Sequence, residues 1–302
     1  MIAALTWAGR YARVLLAVGC VAALFLPTLS AFVRPFLPYL VAMVLAMAMA
    51  RVDLVDIGRN IWRPSFLVRQ VALTLFLMPV TALIYWAIFW FSEPDRTALV
   101  YLAAAPPIAS ATGLCLLLGF NARLALETTV VATFLTPIIG PAIVVTLLPE
   151  AAALSPIDLG LRLAAMIAGG TIFGLAIRYS VGPKKVETNK LAFDGLAAIG
   201  MVIFVIPLFD GVGATILAQP LTALRVLVLS FAFNLGINLL VSAGLRRRLG
   251  HPQAGTLGLV WGNRTVALYL AALPPDPIFT MFVALYQFPM YFTPLILGWR
   301  KR

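Results

Sequence analysis

The sequence predicts an all-α polytopic membrane protein of ten transmembrane helices, arranged as two inverted five-helix repeats with helices four and nine broken. Three observations predict it. Hydrophobic residues make up 62% of the 302 and charged residues only 11%, against roughly 25% charged in an ordinary soluble domain. The apolar residues come in blocks of about twenty, the length at which a helix rising 1.5 Å per residue crosses roughly 30 Å of hydrocarbon. Basic residues concentrate in every second segment between blocks, as a chain crossing back and forth requires.

In chain order the blocks cover roughly residues 12–30, 33–50, 66–91, 98–118, 124–148, 157–180, 191–209, 219–243, 254–273 and 278–298. Ten crossings return both termini to one side. With the amino terminus inside, seventeen basic residues are inside: Arg10, Arg13, Arg51, Arg59, Arg63, Arg69, Arg123, Arg178, Lys184, Lys185, Lys190, Arg246, Arg247, Arg248, Arg300, Lys301 and Arg302. Outside stand three, Arg34, Arg96 and Arg162, with Glu93, Asp95, Glu150, Asp158, Asp210 and Asp276. This is the asymmetry of a bacterial inner membrane protein with cytoplasmic termini. No loop is long enough for a soluble domain, so residues 1–302 read as one membrane transport domain, with a first repeat over about 12–148 and a second over about 157–298.

The same arithmetic limits the partners. A net charge of +11 would suggest nucleic acid in a soluble protein, but here the cations flank apolar blocks, and the partner is the lipid bilayer rather than a nucleic acid. Cys20 and Cys115 both lie inside blocks and predict buried thiols, with no disulfide framework, metal or cofactor. The first block, preceded by Arg10 and Arg13 and followed by Leu29-Ser30-Ala31, has features of a signal peptide. Counting it as a retained span gives the consistent topology.

Five blocks plus five, the second set starting on the opposite side, form the inverted repeat of many secondary transporters, which bind solute near the midplane at helices broken by proline or small residues. Both fourth blocks are interrupted. The first carries Ala105-Pro106-Pro107-Ile108-Ala109-Ser110-Ala111-Thr112-Gly113, where two prolines forfeit two backbone donors. The second carries Trp261-Gly262-Asn263-Arg264-Thr265 in an apolar run. An arginine at mid-membrane costs about 2.5–3.5 kcal/mol even on mild insertion scales, so it faces a partner or a watery cavity. Pro106, Pro107, Ser110, Thr112, Asn263, Arg264 and Thr265 are therefore the candidate solute-binding residues. Arg225 lies near enough to the outer end of block eight to snorkel.

Other polar residues have quieter readings. Ser230, Asn234, Asn238 and Ser242 recur every four residues, a stripe on one helix face suited to interhelical hydrogen bonds or to a cavity wall. Thr74, Thr81 and Tyr85 repeat that pattern weakly. Glu127 follows Arg123 by one turn and predicts a local ion pair. His251 and Asp194 carry no specific signal.

These segments resemble the bile acid:sodium symporter family. Met78-Pro79-Val80-Thr81-Ala82 is similar to its Met-Pro-x-Thr-Ala turn, and Pro106 to Ala142 lies on the family without a gap, taking in Asn121, Thr129 and Thr136-Pro137-Ile138-Ile139-Gly140-Pro141-Ala142. Gly262-Asn263-Arg264-Thr265 resembles the second broken helix less closely. The specific similarity spans about 65 residues. It implies a core domain of two broken helices crossing at mid-membrane, a panel domain and alternating access.

The resemblance also implies a sodium site, and here the chain departs from it. The family's first-break Ser and Asn correspond to Ala111 and Thr112, its span-five Ser and Thr to Ala125 and Thr129, and its span-three Gln to Thr74. The family's Glu falls among Leu259, Val260 and Trp261, none acidic. Thr74, Thr112 and Thr129 are thus the remaining coupling-ion candidates, too few for a hard cation that wants several oxygens. The sequence expectation is a carrier of a small organic anion in which Arg264 supplies the positive charge of the missing sodium, by uniport, exchange or proton coupling. The alternatives are a sodium-coupled symporter with altered ligands and a non-transporting receptor or sensor on a transporter scaffold. A membrane enzyme would need clustered carboxylates or a metal set, and one His with scattered acids supplies neither.

Overall fold

A computed structural model describes residues 2–52, 58–59, 63–88, 91–149 and 154–299. The side chain of Arg13, and Glu150, Arg300, Lys301 and Arg302, all placed in the topology above, lie outside the described residues. The helices, in order, are α1 (Ile2–Arg10), α2 (Ala12–Ala23), α3 (Pro27–Val33), α4 (Leu37–Met49), α5 (Pro64–Leu75), α6 (Thr81–Trp86), α7 (Glu93–Ala104), α8 (Ala111–Leu117) and α9 (Ala122–Leu147). They continue as α10 (Pro156–Val181), α11 (Pro183–Thr188), α12 (Lys190–Val205), α13 (Val212–Ala218), α14 (Pro220–Phe231), α15 (Ile237–Gly262), α16 (Ala267–Ala272) and α17 (Pro277–Trp299). Among the described residues there is no strand, and six stretches are long and apolar enough to cross a membrane: Pro27–Met49, Pro64–Trp86, Ala122–Leu147, Pro156–Val181, Lys190–Phe209 and Pro220–Gly262. The fold is that of an all-α membrane protein.

Several continuous crossings contain a short irregular turn where proline removes a donor. Between α5 and α6 the chain makes a π-helical turn, Phe76–Val80, around Pro79, and Thr81 Oγ1 donates to the Phe76 carbonyl at 2.9 Å. Arg34–Phe36 tightens to a 3-10 turn at Pro35 without ending the rod from Pro27 to Met49. Inside α15 the helix kinks at Gly250, whose φ of 77° is open to glycine without strain, and Pro252 follows.

The chain packs into two compact units, each drawing on both halves of the sequence. The first comprises Met1–Val52, Ala165–Phe231 and Pro275–Arg302, the second Asp53–Ala164 and Ala232–Pro274. In the first, α12 packs against α1, α2 and α4, and α17 against α2 and α14. In the second, α7 packs on α6 and α9, and α8 on α9 and α15.

The first unit corrects four sequence assignments. The first apolar block ends as helix at Ala23 and the next helix begins at Pro27, because proline at the first helical position starts a helix that the apolar pattern alone placed at residue 33. A helix outside the apolar blocks, α1, comes before them, and Arg10 closes it. Arg34 lies within the Pro27–Met49 helix, not in a loop, and its Nη1 donates to the Pro207 carbonyl at 3.2 Å. Asp194 is not idle: it pairs with Arg51. In the second unit, Arg246, Arg247 and Arg248 are helical rather than looped.

Candidate functional site

The two interruptions found in the sequence meet in the second unit. Helix α7 stops at Ala104, Ala105 is extended (φ −77°, ψ 147°), and helix resumes at Ala111. Helix α15 stops at Gly262, Asn263 is extended (φ −116°, ψ 107°), and helix resumes at Ala267. The extended pieces cross antiparallel, with Pro107 opposite Arg264. Ile108 N donates to Asn263 O at 3.0 Å and Thr265 N to Pro106 O at 2.8 Å.

Broken helices expose carbonyls that must find donors, and Pro106 and Pro107 supply none of their own. Four consecutive carbonyls of the first break are met by the second. Ala104 O takes the Tyr269 hydroxyl at 3.2 Å, Ala105 O takes Arg264 Nη1 at 2.9 Å, and Pro107 O takes the Thr265 hydroxyl at 3.2 Å. Pro106 O is held by Thr265 N, as above. The double proline and the Arg-Thr pair are complementary halves of one joint.

Arg264 is the centre of that joint. It is 2% exposed. Its Nε donates to Trp261 O at 3.1 Å, Nη1 to Ala105 O, and Nη2 to Leu77 O in the π-helical turn Phe76–Val80. A planar guanidinium carries five donors in a fixed fork and suits several acceptors at once. Two of these carbonyls belong to helix C-terminal ends, where the backbone dipole is negative. The guanidinium therefore sits in a ring of backbone oxygens, the kind of surroundings a hard cation takes. A carbonyl stabilises a cation without cancelling its charge.

The other predicted residues divide by exposure. Pro106, Pro107 and Asn263 are buried, whereas Ser110, Thr112 and Thr265 are half-buried. Neither the Ser110 nor the Thr112 hydroxyl has a hydrogen-bond partner among the described residues. Thr74 and Thr129 are buried, and their hydroxyls have no hydrogen-bond partner among the described residues. Among the described residues no side-chain hydrogen bond joins Thr74, Thr112 and Thr129.

The polar stripe is part of the scaffold. Asn234 Nδ2 donates to Asn263 Oδ1 at 3.1 Å, and Asn263 Nδ2 to Leu259 O at 3.0 Å, which fixes the start of the second break. Asn238 and Ser242 press on Gly258, and Asn234 and Asn238 on Gly262. Two glycines four apart let the arms of α15 close without a Cβ between them. The Trp261 indole, where the resemblance placed an acid, donates to Thr81 Oγ1 at 3.0 Å and ties the break to the start of α6. Trp261, Leu77 and Tyr269 carried no sequence signal for this role, since their partners are a distant hydroxyl and backbone oxygens.

Glu127 has more partners than its sequence neighbour. Arg123 Nε donates to Oε1 at 2.9 Å as the one-turn spacing implied, while Arg69 Nη2 reaches Oε2 at 2.6 Å and Gln70 Nε2 at 3.2 Å. Thr128 Oγ1 donates to Gln70 Oε1 at 3.1 Å. The carboxylate is 7% exposed but its arginines are 53% and 65% exposed, so the pairing is solvated on one side only. Glu127→Ala is expected to cost about 1–3 kcal/mol, chiefly through the orphaned Gln70 amide. Arg69→Ala or Arg123→Ala alone should cost under about 1 kcal/mol; thermal unfolding in detergent measures both. Cys20 and Cys115 are buried free thiols. His251 packs its ring edge-on to Phe120 at 5.5 Å.

The chain matches no protein-family model and no curated protein sequence.

Proposed function

We propose that this protein is a secondary transporter that moves a small organic anion across a bacterial-type inner membrane by alternating access, with Arg264 as a built-in cation. The observation that carries the reading is the guanidinium at the crossing of two chain breaks, bonded to the carbonyls of Trp261, Ala105 and Leu77. Irregular backbone at membrane depth is tolerated where it is buried in protein or lines a cavity, and transporters use such breaks to hold solutes and ions. A fixed cation does there what a coupling ion does elsewhere: it holds the broken ends together and biases the site toward anions. The half-buried Ser110, Thr112 and Thr265 are the solute-facing residues in this reading, and Pro106, Pro107 and Asn263 shape the backbone beneath them.

The same reading takes the chain as ten crossings in two inverted repeats with both termini cytoplasmic, a plan like that of the bile acid:sodium symporter family. Matched breaks in the fourth crossing of each half and the one-sided distribution of basic residues support it. A second reading, sodium symport through altered ligands, is favoured by the buried, unpartnered hydroxyls of Thr74 and Thr129.

The test is thermal unfolding of the purified protein against small carboxylates, with sodium and potassium exchanged at constant ionic strength. A ligand specific for the folded state at 100 times its dissociation constant adds about 2.7 kcal/mol. Stabilisation by an organic acid, equal in both salts, is the expected result. Stabilisation that needs sodium would favour the second reading, and none by any carboxylate would remove the anion reading.

A further inference from the structure

Arg246, Arg247 and Arg248 end the first arm of α15, just before the Gly250 kink. All three are exposed, and none has a partner among the described residues. The turn leading into α9 is fastened to the same kink: Asn121 N donates to Pro252 O at 3.3 Å, and Phe120 meets the His251 ring. That contact brings the exposed Arg123 to the same end of the unit. No Asp or Glu lies between Asp210 and Asp276 in the sequence, and Glu127, one turn beyond Arg123, is buried and already shared by two arginines.

An apolar track leads from these cations along the helix. Leu240, Ala243, Gly244 and Arg247 recur at the spacing of one helix face, and all four are exposed. Leu240 is 70% exposed, and a Cβ at Gly244 would meet nothing within 4 Å. Two small residues between a leucine and an arginine leave open apolar surface on that face, with a cation at its end.

We propose that this face binds an anionic phospholipid, its phosphate on Arg247 with Arg246 and Arg248 adding positive charge on either side, and one acyl chain along Leu240, Ala243 and Gly244. A soluble polyanion would use the arginines alone. The exposed apolar face running from them along the helix fits a ligand that is anionic at one end and hydrocarbon at the other. Basic clusters just beyond a crossing helix attract acidic lipids, at about a few-fold in affinity per cation.

The experiment is native mass spectrometry and thermal unfolding of the full chain in detergent, with added phosphatidylglycerol, phosphatidylcholine or inorganic phosphate. Phosphatidylglycerol is expected to remain bound and raise the unfolding temperature, and the other two to do neither. Substituting Arg246, Arg247 and Arg248 together by Gln should weaken its binding by at least about tenfold without changing the lipid-free unfolding temperature. Gly244→Trp, which covers the open surface beside it and leaves the arginines in place, should weaken it as well. Equal retention of phosphatidylcholine, an equal response to inorganic phosphate, or full binding by the Gly244→Trp protein would overturn the proposal.

Discussion

Replacing Arg264 with alanine is expected to destabilise the second unit by at least about 3 kcal/mol and to abolish solute binding. The variant removes the donors to Trp261 O, Ala105 O and Leu77 O, which lie at a site only 2% exposed. Each buried acceptor left unsatisfied costs about 1–3 kcal/mol, against a total stability on the order of 5–15 kcal/mol for a folded domain. Lysine should rescue only in part, because one ammonium cannot serve three divergent carbonyls as the flat fork does. Added guanidinium ion, at concentrations too low to denature, should restore part of the lost unfolding temperature in Arg264→Ala and none in Arg264→Lys. Thermal unfolding in detergent reads all three outcomes.

The second large effect is expected at Gly258. A Cβ there would overlap the Asn238 carbonyl and the Ser242 hydroxyl, and the carbonyl belongs to the backbone of the facing arm of α15. Ser242 can rotate away, whereas Asn238 O can move only with its helix, which carries the Asn234 amide that holds Asn263. Gly258→Ala should cost about 1–3 kcal/mol as an overpacked contact, and Gly258→Leu should prevent recovery of a monodisperse folded protein. Gly244→Ala is the control. It lies in the same helix with nothing within 4 Å of its Cβ position, so it should be neutral or stabilising by up to about 1 kcal/mol. Expression yield and size-exclusion profiles of the three variants separate the cases.

What was legible in the sequence was whatever rests on local chemistry. Pro106-Pro107 and Gly262-Asn263 interrupt their helices because proline lacks a donor and glycine is a poor helix former, and both breaks stand where the residue pattern put them. Long apolar runs such as residues 124–148 and 157–180 became α9 and α10 almost residue for residue. Arg264 was conspicuous because an arginine in an apolar run has to be accounted for. The partners Trp261 O, Ala105 O and Leu77 O were not legible, since they are main-chain oxygens and all residues have one.

Pairings distant in sequence were equally silent. Arg51 with Asp194 and Arg69 with Glu127 join residues 143 and 58 positions apart, and nothing in either neighbourhood marks the other. The boundary between the first two apolar blocks differs for another reason. Hydropathy continues smoothly from Ala22 to Val33, and the turn at Leu24–Leu26 is set by Pro27 at a helix start rather than by any polar residue. The polar stripe was seen, but its partners are Gly258 and Gly262, and a glycine offers packing space rather than a chemical signal.

The most direct test of Arg264 as a built-in cation is uptake of a labelled carboxylate, chosen from the stabilising panel, into proteoliposomes with sodium replaced by potassium on both sides. The account predicts the same initial rate in either salt for the wild-type protein, and loss of uptake in Arg264→Ala. A wild-type rate that collapses without sodium, or an Arg264→Ala protein that transports normally, would contradict it.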